Sequence, residues 1–284
     1  MKTRSSKANK QLWEISVVTS EEHEDVATNW FETTFQQIPS VYIDVRTGRR
    51  TVTIYSPARP DKATCPAGKV SVRKLDPNWK ESWKRHFKPM DIGNALLIKP
   101  SWSKRKPRKN QKVIVLDPGL SFGTGQHATT SFCLNEIVRL RNGQREQHFL
   151  DIGTGSGILA IAAAKMGYSP IFAIDYDPDA VRIARENAKR NRVEHKIRFE
   201  HEDLTQLKIR HFPRCDLICA NLIYDMLCVE AKRICSWLKP GGKLVLAGIL
   251  REQFPQVRDV YERFGLKLVR SKMHNEWHSG TMTD

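Results

Sequence analysis

Three glycines at alternate positions follow an apolar segment at residues 149–152 and form the pattern Asp151-Ile-Gly153-Thr-Gly155-Ser-Gly157. Glycines between a strand and a helix let the chain turn tightly and let backbone N–H groups approach a ligand. A dinucleotide-binding fingerprint needs a further glycine at position 158, which is isoleucine here. The spacing therefore favours S-adenosyl-L-methionine over a nicotinamide cofactor, with Gly153 and Gly155 in contact with it.

Three more polar side chains stand where the following strands are predicted to end. Asp175 ends the second strand, where a carboxylate can accept hydrogen bonds from both hydroxyls of a ribose. Asp203 follows the third strand, where one acid of the Glu202-Asp203 pair can reach an adenine amino group, although a solvated loop acid is an equal alternative. Asn221 ends the fourth strand. Its amide can hold a nucleophile beside a transferable methyl group, and a turn-forming asparagine is the alternative.

A second glycine-rich segment lies upstream, at residues 116–130, and ends in a predicted helix. Spacing alone indicates a flexible loop followed by a helix cap. Such a loop can close over a bound cofactor, and we expect Phe122 to exclude water there. We expect His127 to fix the loop or the start of the helix rather than to act as a base, and we predict no dedicated general base.

The elements that must position these residues alternate regularly from residue 113 onward. Apolar segments predict strands at 149–152, 171–175, 197–201, 217–221 and 244–249, and periodicity predicts helices at 158–166, 178–191, 224–238 and 253–264. A final strand pair is predicted at 266–272 and 276–282. Alternation of this kind indicates an α/β fold with a doubly wound, Rossmann-like parallel sheet, whose ligands bind at the carboxyl ends of the strands.

The first part of the chain has a different pattern. Residues 11–75 predict a small α+β domain with the order β-α-β-β-β, in which a helix at 21–35 packs through the face formed by Val26, Trp30, Phe31 and Thr34. Residues 1–10 are predicted to be a disordered tail. Residues 76–112 predict an aromatic, basic connector that ends in an exposed and mobile cationic loop at 103–112, and residues 113–284 form the larger domain.

Composition limits the class of protein. Hydrophobic residues make up 40% of 284 residues, which allows a sizeable core. No apolar run approaches the roughly 18 residues that span a bilayer, and the basic N-terminus has no apolar segment behind it, so we expect a cytoplasmic protein without membrane contact. The six cysteines form no Cys-x-x-Cys pair, which favours buried thiols over a metal site. We expect a monomer, because no spare apolar helix or strand is evident.

The net charge of +16 is uneven. Residues 1–116 hold 23 Lys+Arg and 11 Asp+Glu, a balance of +12, whereas residues 117–284 hold 24 and 20, a balance of +4. A basic segment attracts polyanions, so the first part could contact ribosomal RNA weakly. A solvated surface with a basic tail explains the same charge equally well.

Five segments together resemble the PrmA family, the methyltransferases that modify the eleventh protein of the large ribosomal subunit. They are Asp-Pro-Gly-Leu-Ser-Phe-Gly-Thr-Gly-Gln-His-Ala-Thr-Thr (117–130), Asp-Ile-Gly-Thr-Gly-Ser-Gly-Ile-Leu-Ala-Ile-Ala-Ala (151–163), Ala-Ile-Asp-Tyr-Asp-Pro (173–178), Ala-Asn-Leu-Ile (220–223) and Ala-Gly-Ile-Leu (247–250). The resemblance covers residues 76–284. The upstream loop is more specific to this family than the glycine motif.

This resemblance implies S-adenosyl-L-methionine-dependent N-methylation of lysine side chains and the N-terminal amine of a ribosomal protein. By the family's pattern, Thr130, Gly153, Asp175 and Asn221 match cofactor-contacting positions. The role of Thr130 rests on the family alone. The family's small N-terminal domain usually has the order β-α-β-β-α-β, but residues 57–68 are too few and too proline-rich for the second helix.

Two other functions stay open on the sequence. Asn221-x-x-Tyr224 has the spacing of the Asn-Pro-Pro-Tyr motif of enzymes that methylate glutamine amides and nucleic-acid bases, where the ring stacks on a planar target. Another cytosolic protein could also be the substrate. A non-catalytic protein that binds RNA or ribosomes is a third alternative. The observation against it is the intact set of site residues Gly153, Gly155, Asp175 and Asn221.

Overall fold

A computed structural model describes residues 13–37, 39–43, 47–60, 64–75, 88–117, 127–143 and 145–284. The chain divides into two compact units, Met1–His86 and Phe87–Asp284. The predicted tail at 1–10, the first part of the predicted connector (76–87) and Phe122 lie outside the described residues.

The first unit contains an antiparallel sheet of four strands and one α-helix in its described part. The strands are β1 (Trp13–Thr19), β2 (Ser40–Ile43), β3 (Arg50–Ser56) and β4 (Val70–Lys74), and helix α1 is Glu24–Phe35. The sheet order is β2-β3-β1-β4. This agrees with the predicted β-α-β-β-β order.

The buried face of α1 differs from the predicted one. Ala27 and Phe31 are fully buried against Ile15 and Val17 of β1, whereas Val26 is 41% exposed. Residues four apart share one helix face, and the small side chain of Ala27 lets α1 approach the sheet. Apolarity alone favoured the larger valine.

The second unit is built on a sheet of seven strands in the order β10-β9-β8-β11-β12-β14-β13. The strands are β8 (Phe149–Ile152), β9 (Ile171–Asp175), β10 (Ile197–His201), β11 (Cys215–Asn221), β12 (Leu238–Leu250), β13 (Lys267–His274) and β14 (Trp277–Thr283). The strands from β8 to β12 pair in parallel, and β13 and β14 are antiparallel. The predicted α/β, doubly wound architecture is thereby confirmed.

Helices cover both faces of this sheet. They are α2 (Ala128–Arg139), α3 (Ile158–Met166), α4 (Pro178–Arg190), α5 (Tyr224–Val229), α6 (Ala231–Ser236) and α7 (Phe254–Glu262). Two separate apolar clusters lie on the two faces, and α3 is buried at seven consecutive positions because it lies between the sheet and its neighbours. The predicted cap of α4 is present: the Asp177 carboxylate accepts a hydrogen bond from the N–H of Asp179 at 2.9 Å.

Two predicted elements need correction. The single helix predicted at 224–238 is two short helices, α5 and α6, which meet at Glu230. The connector predicted at 76–112 is part of the second unit from residue 88 onward. There β5 (Met90–Ile92), β6 (Leu96–Lys99) and β7 (Lys112–Val115) form a small sheet whose apolar residues join the core.

The cationic loop at 103–112 is exposed, as predicted, but it is held in place. The Lys99 ammonium donates hydrogen bonds to the carbonyls of Ser103 and Arg105 at 3.1 and 2.9 Å. The Asp91 carboxylate pairs with Arg105 and with Arg108. The Asp91 contacts join β5 to this loop, a pairing that the composition of the loop does not report. No helix in the described ranges is long and apolar enough to cross a bilayer.

Candidate active site

A cavity of about 690 Å³ opens at the carboxyl ends of the parallel strands. Its volume lies within the roughly 300–1,000 Å³ that is usual for small-ligand sites. Six of the seven residues that the sequence predicts for the site line it: Thr130, Gly153, Gly155, Asp175, Asp203 and Asn221. The seventh, Phe122, lies outside the described residues. The structure thus brings together side chains from four strand ends and one helix.

The glycine loop needs glycine for steric reasons at two of its positions. Gly153 has φ +73°, and a Cβ there would lie 2.5 Å from Cδ2 of Leu222. Gly157 has φ +79°, and its Cβ would lie 2.9 Å from the Cβ of Ala184 in α4. A side chain at either position would force neighbouring atoms apart, so these glycines allow the loop to pack closely and keep the cavity open.

The Asp151 side chain stabilises the glycine loop through hydrogen bonds. Its buried carboxylate accepts hydrogen bonds from the hydroxyl of Thr154 at 2.7 Å and from the N–H of Ala160 at 3.1 Å, both at Oδ2. Burial raises the pKa of Asp151 to about 7, against the effect of these two hydrogen bonds, and the charge of Asp175 acts in the same direction as burial. Asp151 does not line the cavity, so we assign it to the support of the loop.

Asp175 lies at the end of β9 with its carboxylate oriented by backbone groups. Oδ2 accepts a hydrogen bond from the N–H of Gly155 at 2.8 Å, and Oδ1 accepts one from the N–H of Asp177 at 3.1 Å. Each carboxylate oxygen keeps a further lone pair, so two hydroxyl donors in the cavity could still bind. The side chain is therefore fixed before a ligand arrives.

Asp203 lines the same cavity but also stabilises a turn. Its Oδ1 accepts hydrogen bonds from the N–H and hydroxyl of Thr205 at 2.9 and 2.8 Å, and its Oδ2 accepts one from the Gln206 amide at 3.0 Å. The backbone N–H of Thr205, followed by its hydroxyl, lowers the pKa of Asp203. The carboxylate is thus kept ionised, and its role toward an adenine amino group stays a prediction.

Thr130 is the residue for which spacing gave no signal. It lies in the first turn of α2, is 1% exposed and lines the cavity. Its hydroxyl has no hydrogen-bond partner in the described part of the chain. An unpaired buried hydroxyl costs about 1–3 kcal/mol, so this group is suited to a ligand that would pair with it.

His127 caps the start of α2 beside Thr130, outside the cavity lining. Its Nδ1 lies 2.7 Å from the hydroxyl of Thr129, and its ring meets the Trp277 ring edge-on at 4.8 Å between centroids. Burial is the main cause that lowers the pKa of His127. These contacts favour the structural role predicted for this residue.

Asn221 ends β11 at the cavity, and the neighbouring strand makes room for it. Gly248 of β12 has φ +83°, and a Cβ there would lie 2.5 Å from the carbonyl oxygen of Leu222 and 3.1 Å from Oδ1 of Asn221. Gly248 is therefore needed for the position of Asn221. The sequence reasoning did not assign it to the site, because its role depends on the pairing of β11 with β12.

A family profile described as "Ribosomal protein L11 methyltransferase (PrmA)" matches residues 17–284, most of the chain. The chain belongs to the PrmA family. The resemblance noted in the sequence is thereby confirmed, and it extends into the small first unit.

Relatives carry the same description. A ribosomal protein L11 methyltransferase of Trichlorobacter lovleyi is 44% identical over 204 residues, which are 70% of this chain and 66% of that protein. One of Geobacter metallireducens is 38% identical over 224 residues, 78% of this chain and 71% of that protein. The match to the T. lovleyi protein thus spans just under two thirds of its length.

A solved structure supports the fold. The crystal structure of a ribosomal protein L11 methylase from Lactobacillus delbrueckii subsp. bulgaricus superimposes with a TM-score of 0.62 at 29% sequence identity. It covers 69% of this chain and 98% of the other chain. This PrmA-family chain therefore shares the fold of that solved structure over 69% of its length.

Tyr224 of this PrmA-family chain does not take the position that its spacing from Asn221 suggested. Its hydroxyl donates a hydrogen bond to Oε1 of Gln256 in α7 at 2.7 Å, and its side chain is absent from the cavity lining. The neighbours that do line the cavity are the aliphatic side chains of Leu222, Ile223 and Met226. The arrangement offers no aromatic ring from this segment for stacking on a planar amide or base.

One group of side chains in the described ranges could hold a cation. Potential ligand atoms of Glu200, Glu202 and His211 lie within 4.8 Å of one another. However, His211 Nε2 is already 2.7 Å from Oε2 of Glu200. The absence of a functional metal site stays a prediction.

Proposed function

We propose that this chain is an S-adenosyl-L-methionine-dependent N-methyltransferase that acts on amines, lysine side chains and the N-terminus, of ribosomal protein L11. Family membership supports the general reaction. The observation that carries the proposal is the meeting of the glycine loop, Asp175 and Asn221 around one cavity at the carboxyl edge of the sheet.

The lining residues fit the proposed cofactor group by group. The tight turns at Gly153 and Gly155 allow close approach of an amino-acid and sulfonium moiety, and the two oriented oxygens of Asp175 suit a ribose. The hydroxyl of Thr130, which has no partner among the described residues, supplies a donor and an acceptor for a ligand. Asp203 offers an acceptor for an adenine amino group. When bound, the cofactor would supply a methyl group on a positively charged sulfur.

The protein's own part in the reaction is mainly positioning. A lysine amine has a solution pKa of about 10.4, so a water-poor cleft is needed to favour its neutral form. We propose that the Asn221 side-chain carbonyl accepts a hydrogen bond from the amine and directs its lone pair toward the methyl carbon. Alignment of this kind can contribute on the order of 7–11 kcal/mol. The apolar side chains of Leu222, Ile223 and Met226 would lower the local polarity.

A dedicated base is not required by this scheme. The ionisable side chains in the cavity lining are Asp175, Tyr176, Asp177, Glu202 and Asp203. Asp175 and Asp203 are occupied by backbone donors, Asp177 caps α4, and His127 lies outside the lining. Tyr176 and Glu202 also line the cavity, and we propose that neither takes the proton and that the amine loses it to water before methyl transfer.

The proposal is tested with purified protein, radiolabelled S-adenosyl-L-methionine and isolated large ribosomal subunits or free L11. Label should enter L11 and be lost on protease treatment, and mass spectrometry should place it on amines. Asn221→Ala should lower kcat by at least about 100-fold, the typical effect of misplaced reactants. Gln256→Ala, which contacts Tyr224 outside the cavity, serves as the matched control and should stay within twofold. Label that resists protease but not nuclease would refute the protein substrate.

The oligomeric state and the location are also proposals. We propose that the chain works as a monomer in the cytoplasm, where ribosomal proteins are made. A single species with the mass of one chain in analytical ultracentrifugation would support the monomer. Weak contact between ribosomal RNA and residues 1–116 also stays a prediction.

A further inference from the structure

A cluster of cations lies at the edge of the large sheet opposite to the cavity. Helix α3 ends at Met166, α4 ends at Arg190 and β10 begins at Ile197, so the loops between them lie at the amino ends of the parallel strands. The last turns of α3 and α4, the segment from α4 to β10 and the start of β7 carry five cations, which we call the basic edge: Lys112, Lys165, Lys189, Arg192 and Lys196. No residue of the basic edge lines the cavity.

Distant segments are brought together at the basic edge. The Lys112 ammonium donates a hydrogen bond to the carbonyl of Lys165 at 2.5 Å, which joins β7 to the end of α3. The N–H of Arg192 donates to the carbonyl of Lys189 at 2.9 Å, which continues the surface from α4. In sequence these residues are spread over more than eighty positions, so the cluster is a product of the fold.

The cations of the basic edge have no carboxylate partners within the described ranges. Elsewhere in this unit arginines pair with acids, as Arg182 does with Asp179 and Glu186. Glu194 is the acidic residue between Arg192 and Lys196, and it forms no ion pair with them in the described structure. Burial and then the charges of Lys196, Arg192 and Lys112 lower the pKa of Lys165. This repulsion is a cost to the free protein that an anionic ligand would relieve.

Arg192 adds a second observation. It has φ +60°, a left-handed conformation that glycine or asparagine adopts with less strain than arginine. The side chain is exposed and takes no part in the core. This residue closes α4 as a C-cap, because the N–H groups of Arg192 and Val193 donate to the carbonyls of Lys189 and Ala188 at 2.9 and 3.0 Å, and the turn presents a positive charge to solvent at the basic edge.

The surroundings distinguish between polyanions. None of the large exposed hydrophobic side chains of the described residues lies within four positions of any of these five cations, so little there would insert into a lipid surface. The exposed ring beside these cations is the imidazole of His195, whereas the Tyr168 and Phe199 rings are buried, so the surface for stacking of unpaired bases is small. Cations whose exposed surroundings are largely polar are suited to a phosphate backbone that is read by shape and charge.

We propose that the basic edge binds the phosphate backbone of duplex RNA. The inference does not depend on methyl transfer and would hold if the proposed substrate were wrong. Because the edge lies opposite to the cavity, RNA and cofactor could be bound at the same time. On a ribosomal substrate, such contact would hold the enzyme beside helical RNA while the cavity faces the protein.

The test is fluorescence anisotropy of a labelled RNA duplex of about 16 base pairs with the full chain, titrated at several salt concentrations. The triple variant Lys112→Gln, Arg192→Asn, Lys196→Gln removes three charges, and asparagine suits the left-handed position. The control variant Lys208→Gln, Lys232→Gln, Lys267→Gln removes three exposed, unpaired charges elsewhere in the same unit. The basic first part is unchanged in both.

The triple variant should weaken RNA binding at least about tenfold at low salt. The slope of log affinity against log salt is negative, and its magnitude should become smaller by about 2–3. The control should change affinity less than threefold, and cofactor affinity should stay unchanged in both. The single variant Glu194→Gln, which needs no change in the cations, should strengthen binding about two- to threefold. Equal losses in the triple and control variants would overturn the proposal. The triple variant is also tested for binding to phosphatidylserine vesicles. If it lost vesicle binding but kept RNA binding, the proposal would be overturned as well.

Discussion

Gly248 provides the sharpest test of how the cavity is built. In Gly248→Ala the new Cβ would lie 2.5 Å from the Leu222 carbonyl oxygen and 3.1 Å from Oδ1 of Asn221. Backbone must move to relieve the first contact, and Asn221 moves with it. A displacement approaching 1 Å at a reacting group can lower the rate about 100-fold, so we expect kcat to fall between about 10- and 100-fold.

The control for this variant is Gly241→Ala. Gly241 has φ +71°, close to the +83° of Gly248, but a Cβ there would meet nothing within 4 Å. Both variants carry the strain of a left-handed alanine, about 1–2 kcal/mol, which would lower Tm by several degrees. Only Gly248→Ala should also lose activity.

Steady-state kinetics with L11, calorimetric titration of the cofactor and thermal melts separate these effects. We expect the cofactor affinity of Gly248→Ala to change less than kcat does, since the new Cβ contacts neither Asp175 nor Gly155, although Asn221 and Leu222 also line the cofactor cavity. A Gly248→Ala enzyme with kcat within twofold of the wild type would refute the role of this glycine in positioning Asn221. Equal kinetic losses in Gly241→Ala would show that general strain, rather than the local contact, is responsible.

Three further predictions follow from single contacts. Thr130→Val removes the unpaired hydroxyl, so the free protein should be as stable or more stable in thermal melts. Cofactor affinity should fall about 5- to 20-fold in calorimetry, roughly the value of one hydrogen bond. Unchanged affinity would contradict a ligand contact. For Asp151, burial raises the folded-state pKa from the ordinary 3.8 to about 7, so the folded state holds the proton more tightly. This group's contribution to stability is therefore present at low pH and is lost as pH rises toward 7. The unfolding free energy of the wild type relative to Asp151→Asn should thus fall by up to about 1.4 kcal/mol per pH unit between pH 5 and 7, and a difference independent of pH in denaturant titrations would exclude the shift. His127→Asn should keep most of the activity, because the ring supports α2 outside the cavity, and a loss of several orders of magnitude in kcat with cofactor binding intact would identify a base instead.

The local elements of the larger unit could be predicted because each is a property of a short stretch of sequence. Gly153, Gly155 and Gly157 permit a turn that other residues do not, and apolar runs on either side predict a buried strand and a buried helix. The cap at Asp177 follows from its side-chain chemistry and the proline after it. Ligand position then follows from the parallel sheet, since the strands' carboxyl ends share one edge.

Contacts between segments that are distant in sequence decided which side chains reach the cavity and which short strands join the core. The unpaired hydroxyl of Thr130 reaches the cavity because α2 packs beside the sheet, and spacing alone gave no sign of it. Tyr224 has a suggestive spacing from Asn221, yet α7 supplies Gln256 as its partner and turns it away from the cavity. The small sheet that begins at β5 was mistaken for a connector because its short strands gain stability only from the core they join.

The sequence by itself thus determined the cofactor loop, the order of strands and helices, and the family, since these depend on local residue types and their spacing. Tertiary structure alone decided which side chains meet. It placed Gly248 against Asn221 through the pairing of two strands, and it gathered Lys112, Lys165 and Arg192 on one edge. Periodicity reports which face of an element is apolar, but it does not report which distant element will cover that face.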